Sequence, residues 1–514
     1  MGGSRDGHTP CLIGAGRRTW RAEECGPDGA PEPLDMWEEV ARVADADTGG
    51  SPALERLERL DVVYCQAWQY DDPAARLAER LGAGPRRSAY SGIGGTVPQT
   101  LVADAARQIL RGDLDLALVA GAEALATRRR LKKEGRKAAW SFPPEERRPF
   151  PRDVLPHPGE VAHGIYEAWL TFALFENARR ARAGTDLAAY RRSLGELLAP
   201  LTAVAAANPY AWFPTARSVE EILGPTPENR MVGYPYSKLM TAIMDVDMAA
   251  AVIVASDAMA DSLGVPPDRR VYLRGWGYAE DPPAVAARAD LWRSGAMAAA
   301  GAAALAGAGV GMDDVSHLDL YSCFSSSIEF ALDALGIDPG TAQSPGPEVA
   351  PGRSVSVTGG LAYHGGPGSN YMTHSLATMA ERLRAEPGTF GMVSGVGMHM
   401  NKHAFALYST EPAGLLPPDD RAVAERGAME EKAIVDSFEG PGTVATYSVV
   451  HGRDGSPEWA ALVCDVGGGG DGDGTARCYA RLTDPDGLAE VERTELVGRP
   501  VRLVAAEGHT EARL

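Results

Sequence analysis

Leu60-Asp61-Val62-Val63-Tyr64-Cys65 and, about 260 residues later, Leu318-Asp319-Leu320-Tyr321-Ser322-Cys323 are the two stretches that decide the fold. Each is a short apolar run with the pattern Leu-Asp-x-x-x-Cys, and each predicts a buried strand. The elements downstream of the two runs match as well. After Cys65 come Gly94-Gly95, a helix expected over 99–110 and closed by Arg111-Gly112, and a strand over 114–120. After Cys323 come Gly359-Gly360, a helix expected over 370–384 and a strand over 390–394. Strand, Gly-rich turn, helix and strand make a βαβ unit, and the same layout used twice predicts an α/β body built as a tandem pair of similar domains.

The 514 residues amount to roughly three domain equivalents, enough for a large core. Lys+Arg is 50 against Asp+Glu 69, a formal charge of −19, so phosphate backbones and anionic lipid repel the chain as a whole. Nucleic acid and membrane are therefore not expected partners. No apolar run is long enough to span a bilayer, and residues 1–16 lack the apolar core of a secretory signal, so a cytoplasmic protein is expected. The cysteines, Cys11, Cys25, Cys65, Cys323, Cys464 and Cys478, form no CxxC pair, which argues against a disulfide framework and a zinc ribbon. No His-Glu-x-x-His spacing occurs, and no metal is inferred.

Composition marks three regions: a first half over 1–265 with a loop insertion at about 126–230, a second half over 266–412, and a C-terminal domain over 425–514. The insertion carries a dense basic run, Arg128-Arg129-Arg130-Leu131-Lys132-Lys133 to Lys137, then a Pro-rich stretch over 143–158 and a helix expected over 161–182. The basic run reads as a solvated face or as a landing site for a phosphorylated ligand or acidic partner. Beyond Pro412, Pro417 and Pro418, strands expected over 443–450, 458–466, 476–483 and 501–506, with a flexible hairpin tip over 467–474, predict a small OB-like β-barrel. It is not conspicuously basic and offers only Tyr447, Trp459 and Tyr479 for base stacking, which disfavours nucleic acid. A protein partner docking through this domain is the alternative.

LVADAARQILRGDLDLALVAGAEAL over 101–125, Tyr236-Ser237-Lys238 with Asp245, Asp247 and Ala249-Ala250-Ala251, and Thr358-Gly359-Gly360 through Gly368 carry a resemblance to the thiolase superfamily over roughly 8–410. The added C-terminal domain makes the chain similar to the sterol-carrier-type thiolases and, among them, the type 1 thiolase-like proteins. The resemblance implies a tandem-duplicated fold in αβαβα layers, a coenzyme A thioester as substrate or ligand, and no covalently bound cofactor. Thiolases pair through the edge strand of the first half; here monomer and homodimer both remain open.

Thiolases use a nucleophilic Cys, an acid/base Cys, a His in a GHP loop, and polar groups that hold the thioester oxygen. At thiolase spacing the nucleophile's place is held by Gly95 in SGIGGTVPQ, and no Cys lies in that loop. In Gly365-Gly366-Pro367, Gly366 takes the His position and His364 sits two residues earlier; the last loop reads Val393-Ser394-Gly395. Tyr321-Ser322-Cys323-Phe324 resembles the HDCF motif, in which the Cys is the acid/base. The resemblance thus implies Cys323 paired with His364 as the surviving chemistry, with His399 of MHMNKH replacing a lost acid/base group. A buried structural Cys323 and an oriented structural His399 are the alternatives. Gly95, Tyr321, Ser322, Gly360, Gly365, Gly366, Asn370, Ser394 and Gly395 are the expected ligand-lining positions. Tyr321 would be a phenol donor or a core tyrosine; Asn370 would polarise a carbonyl or cap its helix. The function expected is an acyl-CoA-binding protein acting as a specialised acyltransferase or Claisen-type carbon–carbon bond former. The alternative is a non-catalytic protein that binds acyl-CoA or an acyl carrier protein.

Overall fold

A computed structural model describes residues 7–151, 155–337, 354–467 and 476–514. The first half runs β1 (Pro10–Thr19), α1 (Pro33–Asp47), β2 (Arg59–Val62), α2 (Pro73–Leu81), β3 (Arg87–Tyr90), α3 (Val97–Arg111) and β4 (Leu116–Ala124). An excursion comes next: α4 (Leu125–Lys133), α5 (Pro158–His163), α6 (Ala168–Ala183), α7 (Leu187–Ala207), α8 (Val219–Leu223), β5 (Met231–Gly233) and β6 (Tyr236–Ser237). The chain then returns through β7 (Asp247–Ser256) and α9 (Asp257–Ser262). The second half is β8 (Val271–Glu280), α10 (Gly295–Ala308), β9 (Val315–Asp319), α11 (Ser325–Ala334), α12 (Tyr371–Ala385), β10 (Phe390–Gly397) and β11 (Lys402–Ser409), with α13 (Asp420–Gly427) behind it.

All of these strands except β5 and β6 form one nine-stranded sheet in the order β3-β2-β4-β7-β1-β8-β11-β10-β9. The two halves meet where β1 pairs antiparallel with β8 through Cys11↔Tyr272 and Leu12↔Val271. Outward from that seam each half repeats one order: first strand, last strand, fourth, second. Only the counterpart of β3 is missing among the described residues. The duplication reaches individual glycines. Gly14 and Gly16 on one face of β1, and Gly275 and Gly277 on one face of β8, would each bring a Cβ closer than 3.0 Å to a backbone carbonyl of α1 or α10, respectively. Bare backbone is what lets each helix seat directly on its strand.

The C-terminal segment continues with β12 (Ala433–Ile434), β13 (Gly440–His451), β14 (Pro457–Val466), β15 (Ala476–Leu482), α14 (Pro485–Val491), β16 (Pro500–Ala506) and β17 (His509–Arg513). β13, β14, β15, β17 and β16 close into a five-stranded barrel, with β15 and β17 parallel and a helix between the third and fourth strands, which is OB topology. The excursion is tied to it, because Gly233 of β5 pairs with Val450 of β13. Tyr447 and Tyr479 are buried, and Arg481 stacks on Trp459 at 4.2 Å. The expected hairpin tip lies, from 468 to 474, outside the described residues. No helix among the described residues is long and apolar enough to cross a membrane.

Several boundaries differ from expectation, each for a local reason. β9 stops at Asp319 rather than running to Cys323. The Asp319 carboxylate takes hydrogen bonds from Ser356, Thr358 and Tyr371, and from the backbone N–H of Val357, which turn the chain out of the sheet. β2 stops at Val62 instead of Cys65. The helix expected over 161–182 is two helices, α5 and α6, parted by Gly164 at φ 71°. That left-handed residue closes α5.

Candidate functional site

A cavity of about 450 Å³ lies where the loop before α3, the segment after β9, the turn between β10 and β11, and helices α5 and α6 converge. Its walls are mainly apolar, with Trp169 and Phe172 from α6 and Phe324 and Leu361 from the second half. Of the positions singled out in the sequence, Gly95, Tyr321, Cys323, Gly366 and His399 line it.

Gly95 decides what this cavity can do. A Cβ built there would lie closer than 3.0 Å to the Tyr321 hydroxyl and to the carbonyl oxygen of Val396. The space that a side chain at position 95 would need is thus occupied by a phenol and a peptide group. Tyr321 is held rigidly: its ring meets Tyr371 edge-on at 5.5 Å, and its backbone N–H donates to Ser394 Oγ at 2.9 Å. Its hydroxyl forms no hydrogen bond with a described residue and remains a donor facing the cavity. Burial raises its pKa, so it stays a phenol.

Cys323 sits two residues before α11, and its Sγ contacts Ser327 Oγ at 3.6 Å. Burial pushes the thiol up to about 12, so the thiolate is scarce. The expected partner is turned elsewhere. His364 is fully buried, does not line the cavity, and places Nδ1 3.2 Å from Asn208 Nδ2, with Nε2 unpartnered. Burial, with Arg17 and Arg21 adding to it, drives His364 down to about 3. It is a neutral imidazole set edge-on to His374 at 5.4 Å. No hydrogen bond joins Cys323 to His364.

The other positions brace the loops. Asn370 Nδ2 donates to Gly121 O at 2.7 Å and Asn370 Oδ1 accepts from Thr373 at 2.6 Å, so its amide is committed away from the cavity and does not cap α12 through the backbone. Ser322 Oγ accepts from Leu361 N–H at 3.2 Å; Gly360 and Gly365 have φ of 78° and 110°, which only glycine takes easily. Gly395 packs against the Gly95 carbonyl. His399 lies half-buried in a turn whose neighbours Met398 and Met400 hold φ of 53° and 55°, a left-handed conformation that is costly for side-chain-bearing residues.

The sequence reading missed Glu160 and Asn401, both buried and both on the wall. Glu160 Oε1 accepts from Val285 N–H at 3.0 Å and from the Tyr479 hydroxyl at 2.7 Å, so the barrel reaches the wall of the cavity. The capping box of α5, His157 to Glu160, was the legible signal that this carboxylate is held in place. Asn401 lay in plain view within MHMNKH.

Glu123, at the end of β4, anchors the loop that carries Gln66 to the cavity rim by accepting from the N–H groups of Gln66 at 2.8 Å and Ala67 at 2.9 Å. Burial raises its carboxyl to about 7 against those donors. A carboxyl raised on folding stabilises fully below its ordinary range, and that contribution is lost as pH rises through about 7. The thermal midpoint is therefore expected to fall between pH 5 and pH 8, less steeply in Glu123→Gln; a flat profile in the parent protein contradicts this.

A doubled α/β body with a loop excursion is the thiolase architecture. No family model and no curated protein matches the chain. Among solved structures, a monomeric SCP2-thiolase-like protein type 1 from Mycobacterium smegmatis is 30% identical, with a TM-score of 0.83 and 99% of each chain covered. The chain belongs to these SCP2-thiolase-like proteins of type 1, within the thiolase superfamily. An Ltp2-ChsH2(DUF35) aldolase shares the fold at 16% identity and TM-score 0.58, over 78% of this chain and 98% of that one. Human mitochondrial 3-ketoacyl-CoA thiolase in complex with CoA does so at 13% identity and TM-score 0.54, over 79% and 98%.

Proposed function

We propose that the protein binds an acyl thioester of coenzyme A in this cavity and does not cleave it by thiolysis. The observation that carries this reading is Gly95, whose side-chain space is taken by the Tyr321 hydroxyl and the Val396 carbonyl beside an apolar cavity of about 450 Å³. Apolar walls suit an acyl chain, and pockets of this size and lining are typical of small-molecule sites. The Tyr321 phenol is the donor available to the thioester carbonyl. Support for coenzyme A comes from the fold relative in complex with CoA. The monomeric relative supports a monomer. The short edge strand β3, which opens on Arg87 directly after Arg86, fits that state, because charge on an exposed edge discourages strand pairing.

Acyl transfer through Cys323 and His364 is the less supported chemistry. The thiol is held up by burial, and the imidazole faces Asn208. Calorimetric titration with acyl-CoA of increasing chain length, run beside thiolysis and transfer assays, tests both. The expected result is saturable binding without turnover above a heat-treated control, and unchanged affinity in Cys323→Ser. Turnover that vanishes in Cys323→Ser would replace this reading with acyl transfer.

A further inference from the structure

The cavity opens through an unusual rim. Phe150, Leu155, Tyr166 and Met244 all line it, and each remains between 44% and 77% exposed. Water-facing clusters of large apolar side chains around a pocket mark a surface that something else covers. A small thioester entering the cavity leaves such a rim wet, whereas a docked protein surface would bury it.

Beside this rim stands α4. Arg128 Nη1 donates to the carbonyl of Gln66 at 2.9 Å, and Gln66 lines the cavity. Arg129 pairs with Asp245, the neighbour of the rim residue Met244. The first turn of the helix thus abuts the mouth. Lys132 and Lys133 stand about 6 Å further along the axis. With Lys137 they are exposed and form no ion pair with a described residue. In a chain of net charge −19 this is a local inversion of sign. Such a patch steers an acidic partner to one face while the remaining surface repels it.

We propose that the rim and the α4 lysines together form the docking surface for an acidic acyl carrier protein, whose phosphopantetheine arm delivers the acyl thioester into the cavity. This inference rests on the thioester-binding reading and names the source of the thioester. The apolar rim receives the carrier's contact face, and the lysines meet its acidic helix.

The full-length protein is titrated with an acidic bacterial acyl carrier protein in its octanoyl form, and separately with octanoyl-CoA, at low salt and at about 0.5 M salt, where the screening length shrinks to roughly 4 Å. Two surface variants accompany it: Lys132→Glu/Lys133→Glu/Lys137→Glu and Leu155→Ser. The expected result is octanoyl-carrier affinity at least tenfold weaker at high salt and in the triple variant, and severalfold weaker in Leu155→Ser. Octanoyl-CoA affinity should change less than twofold in the triple variant. A parallel loss of octanoyl-CoA affinity in the triple variant would assign the lysines to nucleotide phosphates and overturn the proposal. Binding of octanoyl-CoA but not of the carrier overturns the proposal alone; binding of neither overturns the thioester reading with it.

Discussion

Gly95→Cys, which puts a sulfur where the resemblance to thiolases expects their nucleophile, is expected to yield a less stable protein with no thiolysis. The new Cβ would lie closer than 3.0 Å to both the Tyr321 hydroxyl and the Val396 carbonyl oxygen. The phenol could swing only by abandoning its packing on Tyr371, and the carbonyl belongs to β10 and cannot move without the sheet. Overpacking of this kind costs about 1–3 kcal/mol. The sulfur would also find no assistance, because His364 is held near 3 and Cys323 near 12. Pairing Gly95→Cys with Tyr321→His removes one obstruction and leaves the peptide oxygen in place, so the double variant is expected to stay inactive and to recover part of the lost thermal midpoint. Measurable ketoacyl-CoA cleavage by the single variant would show that the site had kept its catalytic geometry.

Most of the fold was legible because it depends on local pattern. The repeated apolar run ending in Cys65 and in Cys323, each trailed by glycines and a helix, encodes the doubled sheet, and alternation after residue 440 encodes the barrel. Gly14-x-Gly16 and Gly275-x-Gly277 also mark the two first strands, because among the described residues only those strands carry a helix pressed on bare backbone. The site was less legible, and for a physical reason. Which way a loop residue faces is set by partners far away in sequence. His364 lies four residues past Gly360, yet its ring is aimed by Asn208, 156 positions earlier. The wall residues Glu160 and Phe172 come from an excursion whose sequence carries no catalytic motif, and the barrel side chain that fixes Glu160, Tyr479, lies 319 residues downstream. Gly95 lies in the loop before α3, and no local pattern shows that the space beside it is filled by Tyr321, 226 residues downstream.

The second large effect is expected at Arg288, which joins the barrel to the cavity wall. Its guanidinium is buried, lies over the Phe175 ring at 4.5 Å, and donates from Nε to Pro282 O at 3.0 Å and from Nη2 to His399 O at 2.8 Å. The buried carboxylates of Asp281 and Glu160 attract it without hydrogen-bonding to it; the first is bonded to His403 Nε2 at 3.0 Å, the second to Tyr479. From the barrel, Arg477 donates to the Arg288 carbonyl, and to that of Ala289 at 3.1 Å. Arg288→Ala therefore removes a buried positive charge that attracts Asp281 and Glu160 and releases the His399 turn, whose neighbours already hold φ of 53° and 55°. Leaving the Pro282 and His399 carbonyls without this donor costs about 1–3 kcal/mol each. Tyr479→Phe, which deletes one hydroxyl from the same network, should cost about 1–3 kcal/mol, the range for leaving a buried acceptor short of a donor. Limited proteolysis separates the two outcomes. In Arg288→Ala, cleavage between the second half and the barrel, over 410–432, should accelerate at a temperature where the parent is resistant, and ligand affinity should fall with it because the same residues shape the wall. An unchanged cleavage rate would mean that the barrel is held by its strand pairing to β5 and by the Arg477 bonds alone, and that the buried charge network is incidental to the union.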